Sequence, residues 1–419
     1  MDTCDIAVIG GGPAGMMAAI RAGGFKKDVW LLERGGFLGR KLLLSGKERC
    51  NVTNMALLDD FMAKFGRQGD FLRTAFSRFF NQDLIDFFQA KGLELKVERQ
   101  GRVFPVTDSA SSVLEALKDY LRENKVQILS NTRVSAIKKQ GDIFSLSSSA
   151  VGAWKLEARK VILAAGGSSF SWTGSSGDGF AIAGKLGHAI VPLYPGLVPL
   201  KVKEPWVREL NGLKLKNIRL TFSGGNKKIT SDIGELSFTP FGISGALVLD
   251  LSSAVPGLLK EEKEVILSID LKPGLNCQQL ENRILRDFAA SGNKKLIDVL
   301  RDFLPQRLIG VFLRMLRMEY VKKANQITKP ERLLIINLLK SFELTISGSL
   351  PLEEAMVTHG GVSVKEINPR TMESKIVPGL YFAGEIIDAS ASSGGYNLQQ
   401  AFSTGYLAGE SAAVSMKKI

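Results

Sequence analysis

Ile6-Ala7-Val8-Ile9-Gly10-Gly11-Gly12-Pro13-Ala14-Gly15 is the stretch on which the fold turns, a short apolar run passing straight into glycines at G-x-G-x-x-G spacing. In that pattern Gly10 makes a tight turn, Gly12 lets a pyrophosphate approach the backbone, and Gly15 lets helix and strand pack closely. Pro13 and Ala14 open a small-residue helix whose N-terminus faces the phosphates. A second apolar run, Val29-Trp30-Leu31-Leu32, ends in Glu33, about 20 residues beyond the loop, where a carboxylate binds a ribose 2′-OH and repels a 2′-phosphate. Strand, loop, helix, strand and acid in that order predict a Rossmann-type α/β unit holding FAD or NAD.

The chain has 419 residues, enough for two or three domains, with 45% hydrophobic and 23% charged residues. Cys4, Cys50 and Cys277 are scattered without C-x-x-C spacing, and His188 and His359 are the two imidazoles. Neither a disulfide framework nor a metal site is expected. The N-terminal Met1-Asp2-Thr3-Cys4-Asp5 lacks a basic signal region, and no apolar run approaches the ~18 residues of a membrane span. The expectation is a reduced, cytoplasmic protein without a membrane segment.

Along the chain, residues 1–191 read as the first part of a dinucleotide-binding domain. Helical patterns cover about 69–91 and 109–124, the second with Ser109 as N-cap; a strand at 126–129, a hairpin over 132–158, and the buried run Lys160–Gly167 follow. Residues 192–274 alternate apolar and polar positions through 213–222 and 245–251, with another strand candidate at 264–271, as antiparallel β material. Residues 275–342 switch to helical period, with stripes at Leu280, Ile284, Leu285, Phe288 and at Leu308, Val311, Phe312, Met315, as a basic helical subdomain inserted in the β one. A return strand is expected over 343–353, and 354–419 completes the discontinuous nucleotide domain. There the buried run Leu380–Glu385 precedes a helix opened by Gly394-Gly395-Tyr396-Asn397, with a small-residue face at Gly405, Ala408, Gly409 and Ala412.

The net charge of +13 is uneven. Residues 200–230 hold 8 Lys/Arg against 2 Asp/Glu, and residues 275–342 hold 13 against 6. Local excess of this kind suits a nucleic-acid surface, since each neutralised phosphate releases a counterion. It equally describes a solvated basic face.

The motifs resemble a known family. Gly10–Gly15 with Glu33, Gly39-Arg40-Lys41, Ser45-Gly46-x-x-Arg49-Cys50-Asn51-x-Thr53-Asn54, Gly101-Arg102-Val103-Phe104-Pro105, Gly174-Ser175-Ser176-Gly177-Asp178-Gly179, Val357-Thr358-His359-Gly360-Gly361-Val362 and Gly379–Glu385 with Gly394–Gln399 are similar to the aminoacetone-oxidase-like, NAD(P)/FAD-dependent oxidoreductases from end to end. The resemblance implies FAD on a glutathione-reductase-type domain, a β-barrel-like insert and a helical cap. It further implies amine oxidation, enone reduction of steroid-like substrates, or reduction of uridine to dihydrouridine in ribosomal RNA. Where many members carry glycines, this chain has Lys47-Glu48, residues that resist a positive φ.

On this basis Gly10, Gly12, Gly15 and Glu33 are expected to hold the ADP half of FAD, with Pro13, Ala14, Arg34 and Val134 also among the cofactor-binding residues. Arg40, Lys41, Ser45, Arg49, Asn51, Ala165, Gly166, Gly384, Glu385, Asp388, Gly395, Tyr396, Asn397 and Gln399 are expected along the pyrophosphate and flavin. Cys50, with a pKa lowered by Arg49, is a candidate proton donor after hydride transfer from flavin N5; a small buried thiol is the commoner fate. His359 and Arg102 complete the candidate catalytic set, Phe104 is a candidate stacking surface, and His188 reads as a helix-terminal structural residue.

Three functions compete. A flavin-dependent reductase of a conjugated C=C leads, with a uracil base in 23S ribosomal RNA as favoured substrate, unstacked into the flavin pocket. A small-molecule amine oxidase or enone reductase needs an enclosed apolar pocket instead. A non-catalytic, flavin-bearing RNA-binding module is the third. Without a second dinucleotide loop, NADH or NADPH would act as a transient reductant. Oligomeric state is not legible.

Overall fold

The computed structural model describes residues 2–148, 154–255, 258–259 and 264–416. Residues 149–153, inside the expected hairpin, lie outside the described set, as do 256–257 and 260–263 of the expected β domain and residues 417–419. The chain divides into two compact units, residues 1–196 with 352–419, and residues 197–351.

The first unit is built on a seven-stranded mixed sheet. Asp2–Ile9 lies at its centre, parallel to Val29–Leu32 on one side and to Lys155–Leu163 on the other. Gln127–Leu129 extends the sheet beyond Val29–Leu32, also in parallel. The central strands bury both faces, which is why they read as continuous apolar runs. Lys155–Leu163 is longer than the apolar run suggested. Its first half pairs antiparallel with Ile143–Ser147, which pairs with Ala136–Gln140, while its second half pairs parallel with Leu380–Phe382.

Helix Pro13–Gly23 packs on the final helix, Tyr396–Val414. A Cβ on Gly405 would strike the Ala14 carbonyl and one on Gly409 the Ala18 carbonyl, so the small-residue face sets this close approach. The single helical pattern expected over 69–91 is two helices, Gly69–Arg78 and Asn81–Gln89. Asp83 accepts from the Phe80 backbone N–H at 2.7 Å and starts the second. Helix Ala110–Glu123 is capped by Ser109, whose hydroxyl accepts from Ser111 N.

Two smaller antiparallel sheets complete this unit. Thr53–Asn54, Arg102–Pro105 and Leu95–Val97 form one, and Ile190–Gly196 with Val357–Val362 forms the other.

The second unit holds a seven-stranded sheet in which Lys214–Gly224, Val265–Asp270 and Phe342–Ser349 are successive antiparallel neighbours. Helices Cys277–Ala290, Leu296–Leu300, Gln306–Leu316 and Lys329–Lys340 share one hydrophobic core with it. The alternation at 245–251 misleads: Ala246–Ser252 is a helix, entered from Gly245 at φ +100, with Leu247, Val248 and Ser252 buried on one face. Leu285 and Met315, expected on the buried stripes, are exposed at the edges of their helices.

Candidate dinucleotide site

The glycine loop divides its labour. Gly10 donates to Leu32 O at 2.8 Å, and a Cβ on Gly15 would collide with the Gly10 carbonyl, so these two glycines serve packing. At Gly12 the backbone is extended, and a Cβ would meet no heavy atom within 4 Å. Open space therefore lies over the N-terminus of Pro13–Gly23, the seat that a dinucleotide pyrophosphate requires. Glu33 is buried beneath the loop, its Oε2 accepting from Gly11 N at 2.7 Å and its Oε1 from Gly35 N at 2.6 Å. It latches the loop, and each oxygen keeps a second lone pair for a ribose hydroxyl. Thr132 N, two residues before buried Val134, donates to Glu33 O at 2.8 Å.

Lys41 and Glu385, far apart in sequence, meet. Lys41 Nζ donates to Glu385 Oε1 at 2.9 Å and Oε2 at 2.7 Å, and to Ser169 Oγ at 2.6 Å. Thr358 N donates to Glu385 Oε1 at 2.8 Å. Burial opposes ionisation of Glu385, but Lys41, Thr358 N and Ser169 outweigh it and hold the carboxyl below its ordinary value. Ser169 and Thr358 were missed from sequence; their one signal is adjacency to Gly166-Gly167 and to His359.

Arg34 bonds Ser176 and pairs with Asp178, which Arg133 grips through two bonds of 2.7 and 2.8 Å. Burial works against the Asp178 charge, yet Arg133, Ser176 and Arg34 bring its pKa down. The Gly174–Asp178 loop is thereby tied to the end of Val29–Leu32. Gly166, at φ +74, sits beside Ser175 and follows Ala165, whose neighbour Ala164 donates to Ile9 O at 2.9 Å. Arg40 lies over the exposed Phe37 ring at 5.5 Å.

At the final helix, Gly395 is the N-cap at φ +97, and a Cβ there would strike the Thr53 carbonyl. Asn397 closes the preceding loop, accepting from Ala391 N and donating to Ala391 O, both at 2.8 Å. Gln399 is fully buried: it accepts from Thr53 Oγ1 at 2.6 Å and donates to Ser403 Oγ at 2.9 Å. Both side chains, expected at the cofactor, hold this loop together through these bonds. Tyr396 packs edge-on against Phe61 at 4.7 Å. Gly384, at φ +77, donates to Thr404 Oγ1 at 2.9 Å and leads directly into Glu385. Asp388 is half-buried, and burial raises its pKa against a bond from Gln68.

The loop carrying Cys50 corrects a further expectation. Cys50 has no exposed surface, and burial pushes its thiol up to about 12 despite a bond with Ser45. Arg49 does not lower it, because its guanidinium pairs with Glu98 and Asp108 and lies over Phe104 at 4.2 Å. The same stacking covers Phe104 and occupies Arg49. Ser45 Oγ donates to Leu42 O at 2.7 Å, Asn51 Oδ1 accepts from Val103 N at 3.2 Å, and Arg102 Nε donates to Arg99 O at 3.2 Å.

Gly46, Lys47, Glu48 and Cys50 all adopt positive φ, between +59 and +67. Lys47 and Glu48 thus hold a left-handed backbone that glycine would adopt freely, at about 1 kcal/mol of strain per residue. Lys47→Gly or Glu48→Gly is expected to stabilise the protein by about 0.5–1 kcal/mol, the strain relieved exceeding the added unfolded entropy. Denaturant titration checks this, and a fall in midpoint sinks it.

His359 stands in Val357–Val362 with its ring stacked on Tyr194 at 4.9 Å and Nδ1 bonded to Ser390 Oγ at 2.5 Å. Burial lowers its pKa, and nearby Glu385 opposes that shift. His188, buried, bonds Glu366 Oε2 at 3.1 Å and Ser374 Oγ at 2.9 Å, and burial lowers its pKa too. Both imidazoles titrate below their ordinary 6.5. The unfolded chain therefore binds protons first, and stability is lost as pH falls through 6.5 toward the folded values. His188→Gln should flatten the melting temperature against pH between about 7 and 5; an unchanged slope contradicts this.

The described residues contain no helix long and apolar enough to cross a membrane. The family described as HI0933-like protein Rossmann domain matches residues 4–411. A 3-dehydro-bile acid delta(4,6)-reductase of Clostridium scindens is 34% identical over 410 residues, covering 97% of this chain and 98% of its own. A ribosomal RNA dihydrouridine synthase of Escherichia coli is 30% identical over 407 residues, covering 97% of each. Among solved structures, a 3-ketosteroid-delta4-(5alpha)-dehydrogenase of Rhodococcus jostii superposes with a TM-score of 0.53 at 15% identity, over 98% of this chain and 97% of its own. That last likeness shows the fold alone.

Proposed function

The chain belongs to the HI0933-like family of FAD-dependent Rossmann oxidoreductases, and from that premise we propose that it reduces a conjugated C=C bond, with a uracil base of ribosomal RNA as the favoured substrate. The observation that carries the reaction class is that the two relatives named above, each matched end to end, bear the names of reactions that saturate a C=C. Charge supports the RNA substrate: Lys201, Arg208, Lys214, Lys216, Arg219 and Lys228 are exposed on the second unit, with no acid in ion-pair range among the described residues. A small enone is the second reading, favoured by the bile-acid reductase at 34% identity.

In this reading Gly12 and the N-terminus of Pro13–Gly23 seat the pyrophosphate, Glu33 takes the ribose, and Lys41 with Glu385 borders the flavin half. FAD, once bound and reduced by a two-electron donor, would supply the hydride. His359, fixed by Ser390 and Tyr194, is the proposed proton donor to the substrate carbon, its ring held in place by that bond and that stacking. Cys50 is left out because it is fully buried, and Arg102 because its Nε is bonded to Arg99 O. NADH or NADPH is the proposed transient reductant.

Digestion and mass spectrometry of ribosomal RNA from cells with and without the gene test the substrate. Loss of one dihydrouridine, restored by the cloned gene, is the expected result. An unchanged profile, with turnover of a 3-oxo-4,6-diene bile acid by the purified enzyme, overturns the RNA substrate in favour of the enone.

A further inference from the structure

Two basic stretches far apart in the chain meet at one cavity of the second unit. Strand Lys214–Gly224 slips register between Leu215 and Ile218, with Asn217 at φ +54, and at this bulge Lys216 and Asn217 line the cavity. Bulges re-aim side chains in this way. The turn after Val265–Asp270 contributes Lys272 and Gly274, and helix Cys277–Ala290 contributes Arg283, together lining an open depression of about 240 Å³. None of the lining residues is acidic.

The acid that starts the turn is already spent. Asp270 Oδ1 accepts from Lys272 N at 2.9 Å and its Oδ2 takes Lys340 Nζ at 2.5 Å; Lys340 also donates to the carbonyls of Lys272 at 3.1 Å and Leu275 at 2.8 Å. The turn is therefore fixed before any ligand arrives. Arg283 is steadied by Asp287 at 3.5 Å and by the Phe303 ring at 4.8 Å. Burial and the Arg283 charge hold the Lys272 ammonium below its ordinary range, and Lys272 has no carboxylate in ion-pair range among the described residues.

We infer that this cavity binds a phosphate group, with Lys216, Lys272 and Arg283 neutralising it and Asn217 offering an amide donor. Three cations and an amide converging on one concavity match the oxygens of a phosphate or phosphodiester. The phosphodiester source rests on the RNA reading above; the phosphate site does not.

The test uses the flavin-loaded protein and its Lys216→Gln/Lys272→Gln variant, titrated with inorganic phosphate and with a short single-stranded RNA. Phosphate affinity is expected to fall about 10-fold or more in the variant. In the wild type, phosphate should raise the Lys272 pKa followed by NMR. If the occupant is an RNA phosphate, RNA affinity falls as well and its salt slope drops by about two. Loss of phosphate binding with RNA unaffected supports the site and makes free phosphate the occupant. Unchanged phosphate binding, or a wild type that binds no phosphate, overturns the site whatever the RNA result. Since the substitutions relieve like-charge repulsion, the variant should melt no lower than wild type and keep its flavin, which separates this outcome from failure of the flavin reading.

Discussion

Gly12→Val is expected to yield a folded protein without flavin. Gly12 is extended at φ −80, ψ −178, a conformation valine adopts freely. A Cβ there meets no atom within 4 Å, so the fold has nothing to lose. The space it fills is the proposed pyrophosphate seat, and blocking it should weaken FAD by more than about 100-fold, roughly 2.7 kcal/mol. Gly15→Val is the contrasting variant. Its Cβ would run into the Gly10 carbonyl, so loop and helix must separate and stability should fall by about 3 kcal/mol or more. Flavin absorbance per mole of protein, with a thermal melt beside it, distinguishes the two. A Gly12→Val protein that purifies yellow at full stoichiometry would remove the pyrophosphate from this seat.

Lys41→Met should cost about 1–3 kcal/mol. It leaves Glu385 with the Thr358 N–H and the Ser169 hydroxyl but no counter-charge. Stranding one partner of a fully buried pair costs about 3–5 kcal/mol. Here the side chains are 24% and 21% exposed, so solvent screening reduces the figure. The sign with pH follows from the lowered Glu385 pKa: the pair stabilises above the ordinary carboxylate value of 4.5 and is lost as pH falls through the folded value. Lys41→Met/Glu385→Gln should recover part of the loss, because a neutral amide needs no cation. Denaturation midpoints for the two single variants and the double variant give the coupling. Additive losses would show that the pair contributes nothing.

Local patterns proved readable where one backbone period or one cap decides an element. Ser109 caps its helix, and Gly405 with Gly409 forms the close-packing face. Reading failed where the answer depends on what lies across the chain. Alternation at 245–251 suits either a strand or a short buried helix, and only the neighbours of Leu247 and Val248 choose. The partners of Asn397 and Gln399, which are Ala391, Thr53 and Ser403, also lie across the loop or further along the chain. Arg49 is next to Cys50 in sequence, but its charge goes to Glu98 and Asp108, and burial sets the thiol.

By itself the sequence determined the dinucleotide unit, its glycine loop and its acid, because steric demands at Gly10, Gly12 and Gly15 act over one turn of chain. Its motifs also determined the family. Tertiary structure alone decided which charges face each other: Lys41 with Glu385, Arg34 and Arg133 with Asp178, Lys216 and Lys272 with Arg283. Coulomb energy and desolvation depend on distance and burial in space, and separation along the chain carries neither.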